Sequence, residues 1–254
     1  MNTVQSYNKY TRRLQALVYA IQYPRALKKA LQDSVSLLYS EGVSKKAKIK
    51  QKLLSEITNI ELPIALQNFS VREGNVTSFE LMALALMVAN KKPKTLLEIG
   101  TFDGNTTLQI ALNSPVEATI HTIDLPSCGE QNTHLPILQE DVKFVQDKNK
   151  LMRKYIGSSV EGKIQQHFGD STAYEFAKFT DSGLIDFCFI DGGHSYDCVK
   201  SDTENVFQIM NPKGIVMWHD FTPNCPGVYK YLSQLSKTKD LVHISGTHLV
   251  FSIA

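Results

Sequence analysis

From residue 94 onward, short apolar runs alternate with stretches of helical spacing. Thr95–Ile99, Thr119–Ile123, Lys163–Phe168, Ile185–Ile190, Gly214–Trp218, Leu241–Ser245 and His248–Ile253 read as strands. Helical patterns separate the first five. Such alternation predicts an α/β protein with a parallel sheet covered on both faces, because each crossover lays a helix against it. Only Gly246-Thr247 lies between the last two runs, too short for a crossover, so they are expected to form an antiparallel hairpin. Upstream, Thr77-Ser-Phe-Glu80 has the pattern of a capping box opening a helix through Ala89, and Lys91-Lys-Pro-Lys94 ends it. Arg72-Glu-Gly-Asn75 reads as a loop. Residues 11–57 are rich in Leu, Ala, Lys and Gln, and Pro24 and Glu41-Gly42 divide them into about three helices. Leu27, Leu31, Val35 and Leu38 recur at helical spacing, as a packed face requires.

Composition changes this picture little. The chain has 254 residues, 43% hydrophobic and 20% charged, which suits one sizeable core. No apolar run has the length of a membrane span, and the N-terminus lacks the order of a signal peptide. Cys128, Cys188, Cys198 and Cys225 show no paired metal spacing and read as reduced thiols of a cytoplasmic protein. Charge is more telling. Residues 1–60 carry 11 Lys/Arg against 3 Asp/Glu, and the remainder carries 16 against 22. Either these are solvated helix faces, or residues 1–74 are a basic helical segment with its own role. That role leaves open a contact with anionic lipid, with another protein, or with a second copy of the chain in a homodimer. No nucleic-acid motif is present, so no nucleic-acid partner is expected.

Candidate chemistry begins at residues 96–107, LLEIGTFDGNTT. A dinucleotide fingerprint needs glycines where Phe102 and Asn105 stand. A P-loop needs four residues between its glycines and then Lys; here three separate Gly100 from Gly104, and Asn105 follows. Glu98 and Asp103 would also repel a pyrophosphate. A turn that rejects phosphate and keeps acids suits a positively charged ligand, and S-adenosylmethionine carries an ammonium and a sulfonium. Glu98, Gly100, Thr101 and Gly104 are its candidate contacts. The alternative is a strand-to-helix turn with no ligand.

Ligands of open parallel sheets sit beyond the carboxyl ends of the strands. The second strand delivers Asp124 there, an acceptor for ribose hydroxyls. The third delivers Asp170, which either accepts from an adenine amino group or caps the following helix with Ser171. The fourth delivers Asp191, two glycines, His194 and Tyr196; the fifth delivers His219 and Asp220. Asp191 and Asp220 should converge, and two carboxylates held together need a proton or a cation between them. Oxygen donors favour Mg²⁺. Helix capping or bound water is the alternative. His194 can take a hydroxyl proton, and His219 can serve as a direct or second-layer ligand, unless either is merely structural. His121 reads as a core histidine. Trp218 reads as packing, or else as a pocket wall.

Together, Glu98-x-Gly100-x-x-x-Gly104, Asp124, Gly169-Asp170-Ser171, IDGGHSYDCVKSD (190–202) and GIVMWHDF (214–221) resemble the class I S-adenosylmethionine-dependent methyltransferases. The branch they resemble is that of small-molecule O-methyltransferases similar to the catechol, macrocin-type and cephalosporin-hydroxylase-like proteins. The resemblance covers residues 75–254. It implies a doubly wound, mostly parallel seven-stranded sheet whose last strand is antiparallel, with N-terminal helices added. It places Glu98 and the Gly100 turn by the methionine part, Asp124 by the ribose, and Asp170 and Ser171 by the adenine. It implies Asp191 and Asp220 as metal ligands. Phe221 stands where catechol-type members have asparagine, so His219 becomes the candidate third ligand. His194 stands where the catechol-type base is a lysine. The expected reaction is methyl transfer to a hydroxyl of a small-molecule acceptor, with Asp191 and His194 catalytic and a divalent cation assisting. The long stretch Pro126–Gly162 is expected to supply a substrate lid. Rival readings are a non-catalytic binder of adenosine ligands and an NAD-dependent oxidoreductase.

Overall fold

A computed structural model describes residues 42–126, 133–148, 152–181 and 183–254. The helices expected before residue 41 and the thiol of Cys128 lie outside the described residues. An eight-stranded sheet organises the rest. Its strands are β1 (Lys50–Lys52), β2 (Thr95–Ile99), β3 (Thr119–Asp124), β4 (Ile164–Phe168), β5 (Ile185–Ile190), β6 (Met210–Trp218), β7 (Val242–Ile244) and β8 (Val250–Ile253). Their order across the sheet is β1-β7-β8-β6-β5-β2-β3-β4. β8 runs antiparallel to both β6 and β7, and the other pairings are parallel. The seven expected strands and the closing hairpin are all present.

The eighth strand corrects the sequence reading, which placed helix over residues 50–52. Lys50-Gln-Lys52 is short and charged and carries no apolar alternation to reveal it. It exists because β7 offers an edge: Lys50, Gln51 and Lys52 pair with Val242, His243 and Ile244, and Ser245 N–H donates to Lys52 O at 2.8 Å. Lysines also suit an exposed sheet edge. Residues 50–52 of the segment 1–74 are thus built into the sheet. β6 also starts earlier than its apolar run. Pro212 cannot donate to a ladder, and the register against β5 shifts between Ile185 and Phe187, so only the part from Gly214 has the regular pattern.

Helices cover both faces. α1 (Ser78–Lys91) and α2 (Asn105–Asn113) lie on one, with Leu81, Leu84, Val88 and Ile110 packed on Leu96, Phe187 and Phe189. α4 (Tyr196–Ile209) and α5 (Pro226–Leu235) lie on the other, with Val199, Val206 and Leu232 packed on Leu97, Cys188 and Val216. α3 (Gln139–Lys148) stands in the long connection between β3 and β4. Thr77 and Glu80 form the expected capping box at α1. Trp218 is fully buried and donates to Thr203 Oγ1 at 2.9 Å, so it is packing and not a pocket wall. His121 is buried, as expected of a core histidine. Among the described residues, no helix is long and apolar enough to cross a membrane.

One support was not legible. The chain from 65 to 70 runs along α2 without forming a strand. Amide side chains take the place of a strand partner. Asn113 Oδ1 and Nδ2 engage Ala65 N–H and C=O, each at 2.8 Å, and Gln109 Oε1 and Nε2 engage Gln67 N–H and C=O, each at 2.9 Å. Asn105 Oδ1 accepts from Ser70 N–H at 2.9 Å. Spacing of four residues puts these three amides on one helix face. The strap they hold leads directly into Arg72–Asn75 at the site.

Candidate active site

β2 pairs with both β3 and β5, so the chain direction of sheet growth switches there. A crevice opens at the carboxyl ends of the strands beside such a switch. It holds a cavity of about 570 Å³, lined by Gly100, Thr101 and Phe102 after β2, Asp124 after β3, and Gly169, Asp170 and Ser171 after β4. Asp191–His194 after β5, His219 and Asp220 after β6, and Asp141, Phe144 and Val145 of α3 complete it. That size suits a ligand of a few hundred daltons. Within the stretch 126–162, α3 borders this cavity.

The turn after β2 is shaped by close backbone approach. Gly100 has φ +99°, and a Cβ there would lie 2.0 Å from Asp191 O. Phe102, also left-handed at φ 47°, donates its N–H to Asp124 Oδ2 at 2.9 Å. Leu125 N–H donates to Asp124 Oδ1 at 2.8 Å. These two amides fix the Asp124 carboxylate at the edge of the cavity. Thr101 is buried in the cavity wall, with its hydroxyl 2.6 Å from Thr122 Oγ1 and accepting from Gln166 Nε2 at 3.1 Å.

Two cofactor candidates, Glu98 and Gly104, do not line the cavity. Glu98 is fully buried and does not line the cavity. It accepts from the hydroxyls of Thr107 and Thr122, and burial pushes its carboxyl up to about 8. It is therefore a neutral acid braced within the fold, not a counter-charge on the cavity surface. Asp103, the second acid of the turn, is spent on the turn itself. It accepts from Asn105 N–H at 3.1 Å and Asn75 Nδ2 at 3.3 Å, with Arg72 Nε at 3.9 Å. Gly104 opens α2 at φ +73° and makes room for the Tyr155 ring rather than for a ligand. Asp170 lines the cavity, but it also takes the capping alternative. Oδ1 accepts from Thr172 N–H at 2.9 Å and Oγ1 at 2.7 Å, and Oδ2 accepts from His134 N–H at 2.5 Å. Ser171 lines the cavity beside it.

The other half of the cavity holds Asp191, His219 and Asp220, whose donor atoms all lie within 4.8 Å of one another. The convergence expected of Asp191 and Asp220 is present. His219 Nδ1 stands 3.0 Å from Asp191 Oδ1 and 3.4 Å from Asp220 Oδ2. Asp220 has φ 58°, a left-handed backbone that aspartate tolerates better than most residues. Burial alone would lower the His219 pKa, but Asp220, Asp191 and Glu80 outweigh it and hold the imidazole protonated. Burial would raise Asp220, yet the two histidines hold it well below the usual carboxylate range. Two carboxylates and a histidine are also a donor set that a divalent cation accepts, so the residues fit one. Phe221 packs on His243 and Tyr229 in the core, with ring centroids 5.4 and 5.3 Å away.

His194 corrects the reading of an unencumbered base. Its Nδ1 lies 2.6 Å from Asp141 Oδ1 and its Nε2 lies 2.8 Å from Asp220 Oδ2. Its backbone N–H donates to Asp141 Oδ2 at 3.1 Å. Burial would depress its pKa, but the two carboxylates raise it well above the ordinary histidine value. As found, the ring is an imidazolium bridging two acids.

Sequence reading missed Asp141 and Glu80. Asp141 lies in a helix without motif, and only the fold brings it over His194. Glu80 was visible as a capping residue. Its second contact, Oε2 at 3.4 Å from His219 Nε2, depends on the sheet. Asp202 was also passed over; it is buried in α4, where the Ser171 hydroxyl approaches its carboxyl too loosely to make a well-formed hydrogen bond.

Comparison with known proteins agrees with this architecture. Residues 97–221 match a family model described as a methyltransferase domain. A protein of unassigned function from Acanthamoeba polyphaga mimivirus is 25% identical over 154 residues, which span 61% of this chain and 59% of that protein. The O-methyltransferase TomG from Streptomyces achromogenes, solved with S-adenosylmethionine, superposes with a TM-score of 0.52 at 14% identity, over 79% of this chain and 89% of its own. An O-methyltransferase from Bacillus cereus, solved with S-adenosylhomocysteine, gives 0.50 at 12% identity over 72% and 84%. A Podospora anserina methyltransferase bound to S-adenosylhomocysteine gives 0.50 at 13% identity over 100% and 98%. The shared fold is the Rossmann-like fold of these enzymes.

Proposed function

We propose, from the match of residues 97–221 to a methyltransferase-domain model, that the chain transfers a methyl group from S-adenosylmethionine to a hydroxyl of a small molecule. The observation that carries this reading is the division of one cavity into two chemical halves. On one side stand Gly100, Thr101, Asp124, Asp170 and Ser171; on the other stand Asp191, His194, His219 and Asp220. Asp124 would accept the ribose hydroxyls, and Ser171 with Asp170 would border the adenine. The structural neighbours solved with S-adenosylmethionine or its product support the choice of donor.

The methyl group arrives already activated, so the chain must position an acceptor and remove its proton. Asp191, His219 and Asp220 would hold a divalent cation, which when bound lowers the pKa of a nearby hydroxyl. We place deprotonation at the chain Asp141–His194–Asp220 rather than at an isolated imidazole. As found, the imidazolium has a proton on each ring nitrogen, one facing Asp141 and one facing Asp220, so it acts as a base only after it has given up the Nε2 proton. Asp141 holds the Nδ1 proton, so Nε2, 2.8 Å from Asp220 Oδ2, is the atom that would then take the acceptor's proton. α3 brings Phe144 and Val145 over the cavity and excludes water from the transfer.

The test is transfer of labelled methyl from S-adenosylmethionine to a panel of sugar and phenolic hydroxyl compounds. The reading expects a methyl ether on at least one. Turnover only with amines or thiols would replace the acceptor class.

A further inference from the structure

We infer that Glu80, at the start of α1 and outside the cavity lining, is a positioning residue that fixes the His219 ring so that Nδ1 faces Asp191 and Asp220. The inference rests on the reading of those three residues as a cation site.

Glu80 is 1% exposed and cannot swing. Its Oε2 accepts from Thr77 N–H at 2.8 Å, and its Oε1 accepts from His248 N–H at 2.7 Å. One amide belongs to the start of α1 and the other to the turn into β8, so two separate elements pin the carboxylate. Against this fixed group stands His219 Nε2, 3.4 Å from Oε2, an ion-pair separation rather than a tight hydrogen bond. That nitrogen is buried and has no hydrogen-bond partner among the described residues. Glu80 is thus the acid that its proton faces. A cation would displace the Nδ1 proton that now faces Asp191; with the Nε2 proton held toward Glu80, the electron pair would then be offered at Nδ1, and carboxylates commonly orient metal-binding histidines in this way. Nδ1 lies 3.0 Å from Asp191 Oδ1. Glu80, His219 and His248 also cluster within 4.8 Å. Glu80 already serves two backbone amides, so it acts as the orienting group and not as a ligand.

The experiment measures Mn²⁺ binding to the full chain by electron paramagnetic resonance, in the wild type, Glu80→Gln, Thr77→Ala and Asp191→Asn. Glu80→Gln should weaken binding by about 10–100-fold, the range for losing an outer partner of a ligand. Thr77→Ala breaks the same capping box but keeps the acid, so it should lower thermal stability and leave Mn²⁺ affinity unchanged. Wild-type affinity in Glu80→Gln, with Asp191→Asn impaired, overturns the inference alone. Equal weakening in Thr77→Ala and Glu80→Gln also overturns it, because the effect would then come from the helix cap. Absence of wild-type binding, or unchanged binding in Asp191→Asn, removes the cation reading and this inference with it. Should Glu80→Gln not fold, the ring ¹⁵N shifts of His219 in Mg²⁺-loaded wild type decide. A proton on Nε2 supports the inference, and a proton on Nδ1 overturns it.

Discussion

Asp141 Oδ1 lies 2.6 Å from His194 Nδ1, and this contact joins α3 to the loop after β5. Acid and imidazole come from residues 53 apart, so the pair exists only when α3 is seated over the cavity. Asp141→Asn should therefore lower methyl transfer by about 10–100-fold, the usual effect of removing an orienting partner. S-adenosylhomocysteine affinity should hardly change, because Asp124 and the turn after β2 are untouched. Steady-state rates with calorimetry on the same variant check both halves; equal loss of product binding would mean that Asp141 merely supports the fold.

His194→Gln should cost roughly 100-fold or more in rate, since it keeps an acceptor for neither proton nor charge between Asp141 and Asp220. A normal rate would move deprotonation to another group.

Asp202 gives a prediction about stability. Burial pushes its carboxyl up to about 7, and the charge of Asp170 adds to that, while the Ser171 hydroxyl works against it. The folded state thus binds a proton more tightly than the unfolded chain. Its contribution is fully present below the ordinary aspartate range and is lost as pH rises towards 7. Asp202→Asn should unfold at higher urea than the wild type near pH 8, by a few kcal/mol, since each pKa unit is about 1.4 kcal/mol. The gain should shrink near pH 4. Glu98, raised to about 8, gives the wild type a slope of the same sign. An Asp202→Asn advantage that does not change with pH would contradict the assignment.

The amide ladder on α2 predicts a local effect. Gln109→Ala removes the side-chain partners of the Gln67 N–H and C=O, at about 0.5–1.5 kcal/mol for each bond lost. Limited proteolysis should then cut near residues 65–70 before the domain unfolds. Unchanged protection would mean that the strap is held by other contacts.

The sheet was legible because its central strands are buried on both faces, which leaves uninterrupted apolar runs such as Ile185–Ile190. β1 was not, because a three-residue charged strand depends wholly on its partner. The site divided in the same way. Asp124, Asp191, His219 and Asp220 stand at strand ends, where topology alone predicts their convergence. Glu98 in β2 and Asp103 in the turn after it misled because an acid looks the same in sequence whether it faces a ligand or a neighbouring hydroxyl or amide. Asp141 and Glu80 come from helices, and their partners lie 53 and 139 residues away in the chain, beyond the reach of any local pattern.

Asp124 is where the donor reading is most exposed. Asp124→Ala removes acceptors for two ribose hydroxyls and should cost about 1.5–3 kcal/mol in binding, the range for hydrogen bonds to a charged group. The decisive measurement is calorimetric titration of the wild type with S-adenosylhomocysteine, S-adenosylmethionine and NAD. The account predicts saturable binding of the first two at one site per chain, weakened in Asp124→Ala, and no comparable binding of NAD. Absence of binding of both sulfur compounds, or equal affinity for NAD, would contradict it.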